Sequence, residues 1–243
     1  MQDRNAGYGA LMRMIKRRLV NATVAAALAL AAAIGGILGA HAQASSPRLL
    51  VLGDSLTAGY GLPQDQAFPV QLQAWLSRAG VHVQVINAGV SGDTSAGGLA
   101  RLDWAMGSTP PQFALVELGA NDALRGLPPA ALYDNLDKIL TRLEARGVRT
   151  MLVGMYAPRN LGRDYDQEFD AVYPRLAKQH GVPLYPFFFD GVVGDRGITD
   201  TTLLQPDGLH PNAQGVAVIV EHIGPPVARL IDHGPLKDGR AAK

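Results

Sequence analysis

The 243-residue sequence contains no cysteine. Disulfides, a thiolate nucleophile and cysteine-ligated metal centres are therefore excluded, while the compartment stays open. Aromatic residues make up only 6% and charged residues 18%, with the two signs nearly balanced at a formal net charge of +1. There is no Gly-x-Gly-x-x-Gly, no Gly-Lys-Ser/Thr and no His-x-x-x-His. Phosphate-cradling loops and helical zinc pairs thus lack their signatures, and neither a metal nor another cofactor is expected. Internal repeats, collagen-like periodicity and low-complexity tracts are also missing. What is present is 47% hydrophobic residues, enough for one α/β domain with a sizeable core.

The first 42 residues differ from the rest. A basic stretch from Arg13 to Arg18 precedes an apolar run from Val24 to Ala40, and Ala40-His41-Ala42 forms a small-x-small site before Gln43. That order reads as a secretory signal over 1–42, followed by a single domain over 43–243. An uncleaved anchor is the competing reading, since a run of about 17 residues just reaches the lower limit for spanning a bilayer. Its richness in alanine and glycine rather than leucine favours cleavage. The expected product is periplasmic or secreted, without stable membrane association. Cleavage also changes the charge. Five of the 22 Lys and Arg and one of the 21 Asp and Glu lie in 1–42, leaving 17 against 20, a net −3. A mildly acidic chain without a basic block is a poor nucleic-acid binder.

Along the mature chain, apolar runs alternate with segments of helical spacing. Strands are expected at 48–53, 81–88, 113–118 and 150–155, with an edge-like fifth at 182–188 that carries two prolines. Helices are expected at 68–79, 94–106 with Thr94 as cap, and 128–145 with Leu132, Leu136, Ile139, Leu140 and Leu143 on one face. Two further helices contain proline: 165–179, broken or kinked by Pro174, and 212–231, interrupted at Pro225-Pro226. This alternation predicts a three-layer α/β/α sandwich around a mostly parallel five-stranded sheet. In such folds ligands bind beyond the carboxyl ends of the strands. The polar residues cluster there: Gly53-Asp54-Ser55 after strand one, Gly92-Asp93 after strand two, and Gly119-Ala120-Asn121-Asp122 after strand three.

Each of these groups has an ordinary explanation when taken alone. Asp54-Ser55 could be a helix cap, Asn121 an Asx turn, and a lone loop histidine such as His210 a surface residue. Together they supply the parts of one reaction. Ser55 on a strand-to-helix turn can present its hydroxyl above the sheet edge. Asp207 lies three residues before His210, so its carboxylate can hold Nδ1–H while Nε2 takes a proton from Ser55. Acyl transfer puts negative charge on a carbonyl oxygen, which needs donors already in place. The N–H of Ser55, the N–H of Gly92 and the amide of Asn121 can serve.

These blocks resemble those of the GDSL/SGNH hydrolases. Gly53-Asp54-Ser55-Leu56-Thr57-Ala58-Gly59 looks like the first signature block and Gly89-Val90-Ser91-Gly92-Asp93-Thr94 the second. Gly119-Ala120-Asn121-Asp122 looks like the third and Asp207-Gly208-Leu209-His210-Pro211 the fifth. The resemblance runs over about residues 47 to 232 and is closest to the bacterial periplasmic thioesterase, lysophospholipase and arylesterase group. It implies cofactor-free hydrolysis of acyl esters and thioesters through an acyl-enzyme on Ser55. Asp207 and His210 complete the triad, and Ser55, Gly92 and Asn121 form the oxyanion hole. Ala120 stands where many members have glycine.

Acyl-chain contacts are expected from Leu124, Gly126 and Leu127, which closely follow Asn121, with Gly126 as hinge. The facing wall is expected from 155–161, including Ala157 and Pro158. The alternatives are a carbohydrate O-deacetylase on the same fold, a non-catalytic lipid or carbohydrate binder, and a nucleotide-binding protein. The last lacks its motifs and leaves Asn121 and His210 unexplained.

Overall fold

The structure is a computed structural model that describes residues 46–193 and 199–232, together with Met14 and Lys16. The segment read as a secretory signal lies outside the described residues, apart from those two positions. From residue 46 onward the described residues belong to one compact unit.

Five strands form one parallel sheet in the order β2-β1-β3-β4-β5. They are β1 Arg48–Gly53, β2 Gln84–Gly89, β3 Phe113–Glu117, β4 Arg149–Val153 and β5 Leu184–Tyr185. β1 is an interior strand, and its Leu49, Leu50, Val51 and Leu52 are fully buried. A strand covered on both faces needs such a continuous apolar run rather than an alternating one. The helices are α1 Ser55–Ala58, α2 Phe68–Arg78, α3 Ser95–Met106, α4 Ala120–Leu124, α5 Pro129–Ala145, α6 Arg163–Asp170, α7 Val172–His180 and α8 Ala213–Asp232. α2 packs against α8, while α5 packs against both α3 and α7. These two groups form the outer layers. The five leucine and isoleucine positions expected on one face of α5 are all buried.

The register decides where the site lies. Gly53 pairs with Gly89 on one side and with Glu117 on the other. The last residues of β1, β2 and β3 therefore form one row, and the loops that follow emerge together. The strand order reverses between β1 and β3, where such sheets leave a crevice.

Three elements differ from expectation. The chain between Arg163 and His180 breaks at Ala171, not at Pro174. Pro174 lies in the first turn of α7, where its missing N–H costs no helical bond. α8 runs unbroken through Pro225 and Pro226. Pro225 is exposed and Pro226 half-buried, while Ile219, Val220, Ile223, Val227, Leu230 and Ile231 are buried along the whole helix. Burial of that stripe outweighs the lost backbone bonds, which a proline pair costs at about 3 kcal/mol each. β5 shrinks to two residues because Pro183 and Pro186 flank it and cannot donate to a ladder. It is an edge strand, as expected.

Candidate active site

Ser55 directly follows Asp54, which caps α1 by accepting the Leu56 N–H at 3.0 Å. The cap therefore exists, and the serine that it presents is the first residue of the helix. Ser55 Oγ lies 2.9 Å from His210 Nε2, and His210 Nδ1 lies 2.7 Å from Asp207 Oδ2. The other oxygen, Asp207 Oδ1, accepts the backbone N–H groups of Leu209 and His210 at 2.9 and 3.0 Å. The carboxylate is thus clamped by its own loop and can face His210 only through Oδ2. Those backbone bonds, that from His210 first, hold the Asp207 carboxyl down at about 2. It is ionised wherever the histidine could act as a base.

The loop that carries the pair is itself anchored. Gln205 N–H donates to the His210 carbonyl at 2.8 Å, and Gln205 Nε2 donates to the carbonyls of Tyr60 and Pro211. The Tyr60 ring lies 4.7 Å from the imidazole, centroid to centroid. Tyr60 was not singled out in the sequence. Its only signal was an aromatic residue between Gly59 and Gly61.

Gly92 sits at φ +84°, a conformation that side chains disfavour. Gly119 is at φ +125°, and a Cβ there would lie 2.1 Å from the Tyr173 hydroxyl. Ala120 begins α4 with ordinary helical geometry. The glycine requirement in that block thus falls on position 119, and alanine at 120 is unstrained. Asn121 borders the same cavity as Ser55, Gly92 and His210. Its Nδ2 donates to Asp54 Oδ2 and to the Asp93 carbonyl, both at 3.0 Å. Both amide hydrogens are therefore engaged in the resting site, and an incoming oxyanion must share or replace one of these acceptors.

Behind these loops is a buried acidic pair. Asp54 is pushed up to about 6 by burial, against the pull of its Leu56 and Asn121 hydrogen bonds. Glu117, at the end of β3, is pushed well above the usual carboxyl range by burial and by the neighbouring Asp54. Thr57 Oγ1 donates to Glu117 Oε2 at 2.9 Å. In sequence, Asp54 reads only as a cap and Glu117 only as the end of a strand.

Ser55 and His210 open into a groove of about 1090 Å³. Leu124, Ala157 and Pro158 line it as expected, whereas Gly126 and Leu127 do not. Gly126 is exposed at φ +60°. Leu127 turns away, with its carbonyl accepting the Tyr165 hydroxyl and its N–H donating to Asp122 O. The 155–161 segment supplies a wall through Met155, Tyr156, Ala157, Pro158 and Arg159. Asp170 holds it by accepting the Ala157 N–H at 3.0 Å. A third wall, Pro186, Phe187 and Phe189, follows β5 and was not foreseen. Phe187 stacks on Tyr156 with centroids 4.4 Å apart. Among the described residues, no group of three or more His, Asp or Glu is arranged to hold a metal ion.

A serine hydroxyl, an imidazole and a carboxylate in one hydrogen-bonded line beside a groove are the arrangement of a serine ester hydrolase, here on a three-layer α/β/α fold. Residues 51–218 match the model of the GDSL-like lipase/acylhydrolase family. The chain is 39% identical over 189 residues to esterase TesA of Pseudomonas aeruginosa, covering 78% of this chain and 92% of that protein. It is 39% identical over 191 residues to thioesterase 1/protease 1/lysophospholipase L1 of Escherichia coli K12, covering 78% and 88%. The crystal structure of AlinE4, an SGNH-hydrolase family esterase, is 44% identical with a TM-score of 0.63, over 78% of this chain and 99% of that one. The chain belongs to the GDSL-like lipase/acylhydrolase family.

Proposed function

We propose that this enzyme is an exported hydrolase of acyl esters and thioesters that works through an acyl-enzyme on Ser55. The observation that carries the reading is the continuous relay Asp207–His210–Ser55, at 2.7 and 2.9 Å, opening directly into the groove.

His210 Nε2 takes the hydroxyl proton as Ser55 Oγ attacks the acyl carbonyl. The oxyanion is received by the Ser55 N–H, the Gly92 N–H and the Asn121 amide. The imidazolium then protonates the leaving alcohol or thiol, and the C–O or C–S bond breaks. Water, deprotonated by the same nitrogen, attacks the acyl-enzyme and releases the acid and Ser55. Asp207 keeps its negative charge throughout, holding the tautomer and balancing the imidazolium. The chemistry is indifferent to whether the leaving atom is oxygen or sulfur, so selectivity falls to the groove.

Leu124, Ala157, Pro158, Tyr156 and Phe187 give that groove an apolar lining suited to an acyl chain. Each methylene buried is worth up to about 0.8 kcal/mol, so kcat/KM should rise several-fold per added methylene until the groove is full. Gly126 retains a hinge role just outside the lining. The 1–42 segment is read as a cleaved signal, with the mature enzyme in the periplasm or medium. Support comes from its basic, apolar and small-residue order and from the family match, which begins only at residue 51.

The test is a series of p-nitrophenyl esters from acetate to palmitate, alongside an acyl-CoA, a lysophospholipid and an acetylated sugar, with Ser55→Ala as control. Medium chains should lead among both esters and thioesters. Rates that peak on acetyl groups of sugars would overturn the acyl-chain reading. Undiminished rates in folded Ser55→Ala would overturn the mechanism.

A further inference from the structure

We propose that Arg101, which contacts neither the triad nor the groove, is the positioning residue of the oxyanion site. This rests on the reading of Ser55, Gly92 and Asn121 as oxyanion donors. Those donors come from three separate loops, after β1, β2 and β3. Donors must be aimed before charge develops, because aligning them during the reaction would cost part of the stabilisation they provide. Something must therefore hold three loops in one arrangement.

Arg101 lies on α3 and reaches two of the loops at once. Its Nη2 donates to the Gly53 carbonyl at 2.9 Å, and its Nε donates to Asp93 Oδ2 at 2.5 Å. The two side chains are only 16% and 18% exposed. On the first arm, the Gly53 carbonyl also accepts the Val90 N–H at 3.1 Å. This carbonyl belongs to the peptide that enters Asp54, so anchoring it sets the frame from which the Ser55 N–H projects. On the second arm, Asp93 follows Gly92, and the Asp93 N–H closes the 90–93 turn onto the Val90 carbonyl at 3.1 Å. Asp93 then offers its own carbonyl to Asn121 Nδ2.

Arg101 and its partner Asp93 thus connect to all three donors: Ser55 through Gly53, Gly92 through the Asp93 turn, and Asn121 through Asp93 O. Space is reserved for it, since a Cβ at Gly97 would lie 2.6 Å from Asp93 Oδ1. A planar guanidinium with a forked donor set can serve a carbonyl and a carboxylate together, whereas an ammonium acts as a single point. The base side of the site is separate. Asp207 and His210 are anchored by Gln205 and by their own loop, and Arg101 makes no hydrogen bond or ion pair with any of these residues.

The experiment compares Arg101→Lys, Arg101→Gln, Asp93→Asn and the double Arg101→Gln/Asp93→Asn with wild type on a medium-chain p-nitrophenyl ester, using active-site-titrated enzyme. Loss of one complete oxyanion donor costs on the order of 10²–10³-fold in kcat. Misaimed rather than absent donors should cost about 10–100-fold on the same scale, with KM within about threefold. Affinity for an alkyl boronic acid, whose adduct with Ser55 mimics the tetrahedral oxyanion, should fall in the same proportion. The pH midpoint of kcat/KM should stay unchanged, and the double variant should be no worse than the poorer single, because the two residues act as one unit. Arg101→Lys keeps the buried charge, so it tests the proposal even where the glutamine variant does not fold.

A folded variant with wild-type kcat and boronate affinity would overturn the proposal, even with a lowered Tm, and so would additive effects in the double. Asn121→Ala, run in parallel, separates the two levels. If it also retains full kcat, the oxyanion reading itself fails. If it loses kcat and the Arg101 variants do not, only the positioning role fails.

Discussion

Replacing Asp207 with asparagine should be at least as damaging to catalysis as replacing it with alanine, although asparagine preserves the loop. The reason is which oxygen does what. Oδ1 accepts two backbone N–H groups, from Leu209 and His210, at 2.9 and 3.0 Å. Oδ2 alone faces His210 Nδ1, at 2.7 Å. In Asp207→Asn the amide oxygen must remain at the Oδ1 position, because an NH2 there would oppose two N–H donors. The amide nitrogen is then forced against Nδ1 and donates to it. His210 is pushed into the tautomer with its proton on Nε2, which cannot accept the Ser55 proton at 2.9 Å. A wrong tautomer with intact geometry costs about 10⁴-fold in kcat in a serine protease triad, or roughly 5.4 kcal/mol at 1.36 kcal/mol per decade. Asp207→Ala leaves the tautomer free and should lose no more than this. Its Tm should drop more, because two loop hydrogen bonds at about 1 kcal/mol each disappear. The assay is kcat on a medium-chain p-nitrophenyl ester with titrated enzyme, together with Tm for both variants. An asparagine variant within tenfold of wild type, or clearly better than the alanine variant, would refute the reasoning.

Asn121→Ala should lower kcat by roughly 10²–10³-fold with little change in KM, as for loss of one oxyanion donor; a raised KM at normal kcat would make Asn121 a substrate-binding residue instead. Glu117→Gln should keep the Thr57 hydrogen bond and match or exceed the wild-type Tm at pH 8. The folded-state pKa of Glu117 is raised, so its stabilising contribution is present below the unfolded value of 4.5 and lost as pH rises. The glutamine advantage should therefore grow from pH 4 upward, and a Tm difference that is flat across this range would contradict a raised pKa for the buried carboxyl. Asp54, raised to about 6, shares that trend between its ordinary 3.8 and 6, and the two carboxyls should titrate as a pair. In an exporting host the mature N-terminus should fall at or near Gln43, which N-terminal sequencing or intact mass would show; membrane-bound protein retaining 1–42 would favour an anchor.

What could be read from the sequence alone was local chemistry and its order along the chain. The strand β1 was legible because a strand buried on both faces has to be continuously apolar, and Leu49 to Leu52 are. That Ser55, Gly92 and Asn121 meet at one cavity was legible because parallel sheets gather their loops at the carboxyl ends of strands, and the Asp207–His210 contact because three residues of separation lets one loop hold both. What the sequence could not show was anything set by packing between distant segments. Pro225-Pro226 argues for a helix end by local propensity, yet the buried stripe of α8 on both sides of the pair carries the helix through. Leu124 and Leu127 look alike in sequence, but only Leu124 lines the groove, while the Leu127 carbonyl accepts the Tyr165 hydroxyl 38 residues away. Phe187 and Phe189 become a wall only because β5 lies next to β4. The Asp54–Glu117 pair arises from strand register, since Gly53 faces Glu117 across the sheet, and the Arg101 bridge from the packing of α3 against β1. Sequence determined which groups could react, because that depends on residue type and short spacing. Tertiary structure decided how they are aimed and what surrounds them, because burial and long-range hydrogen bonds are properties of the folded chain.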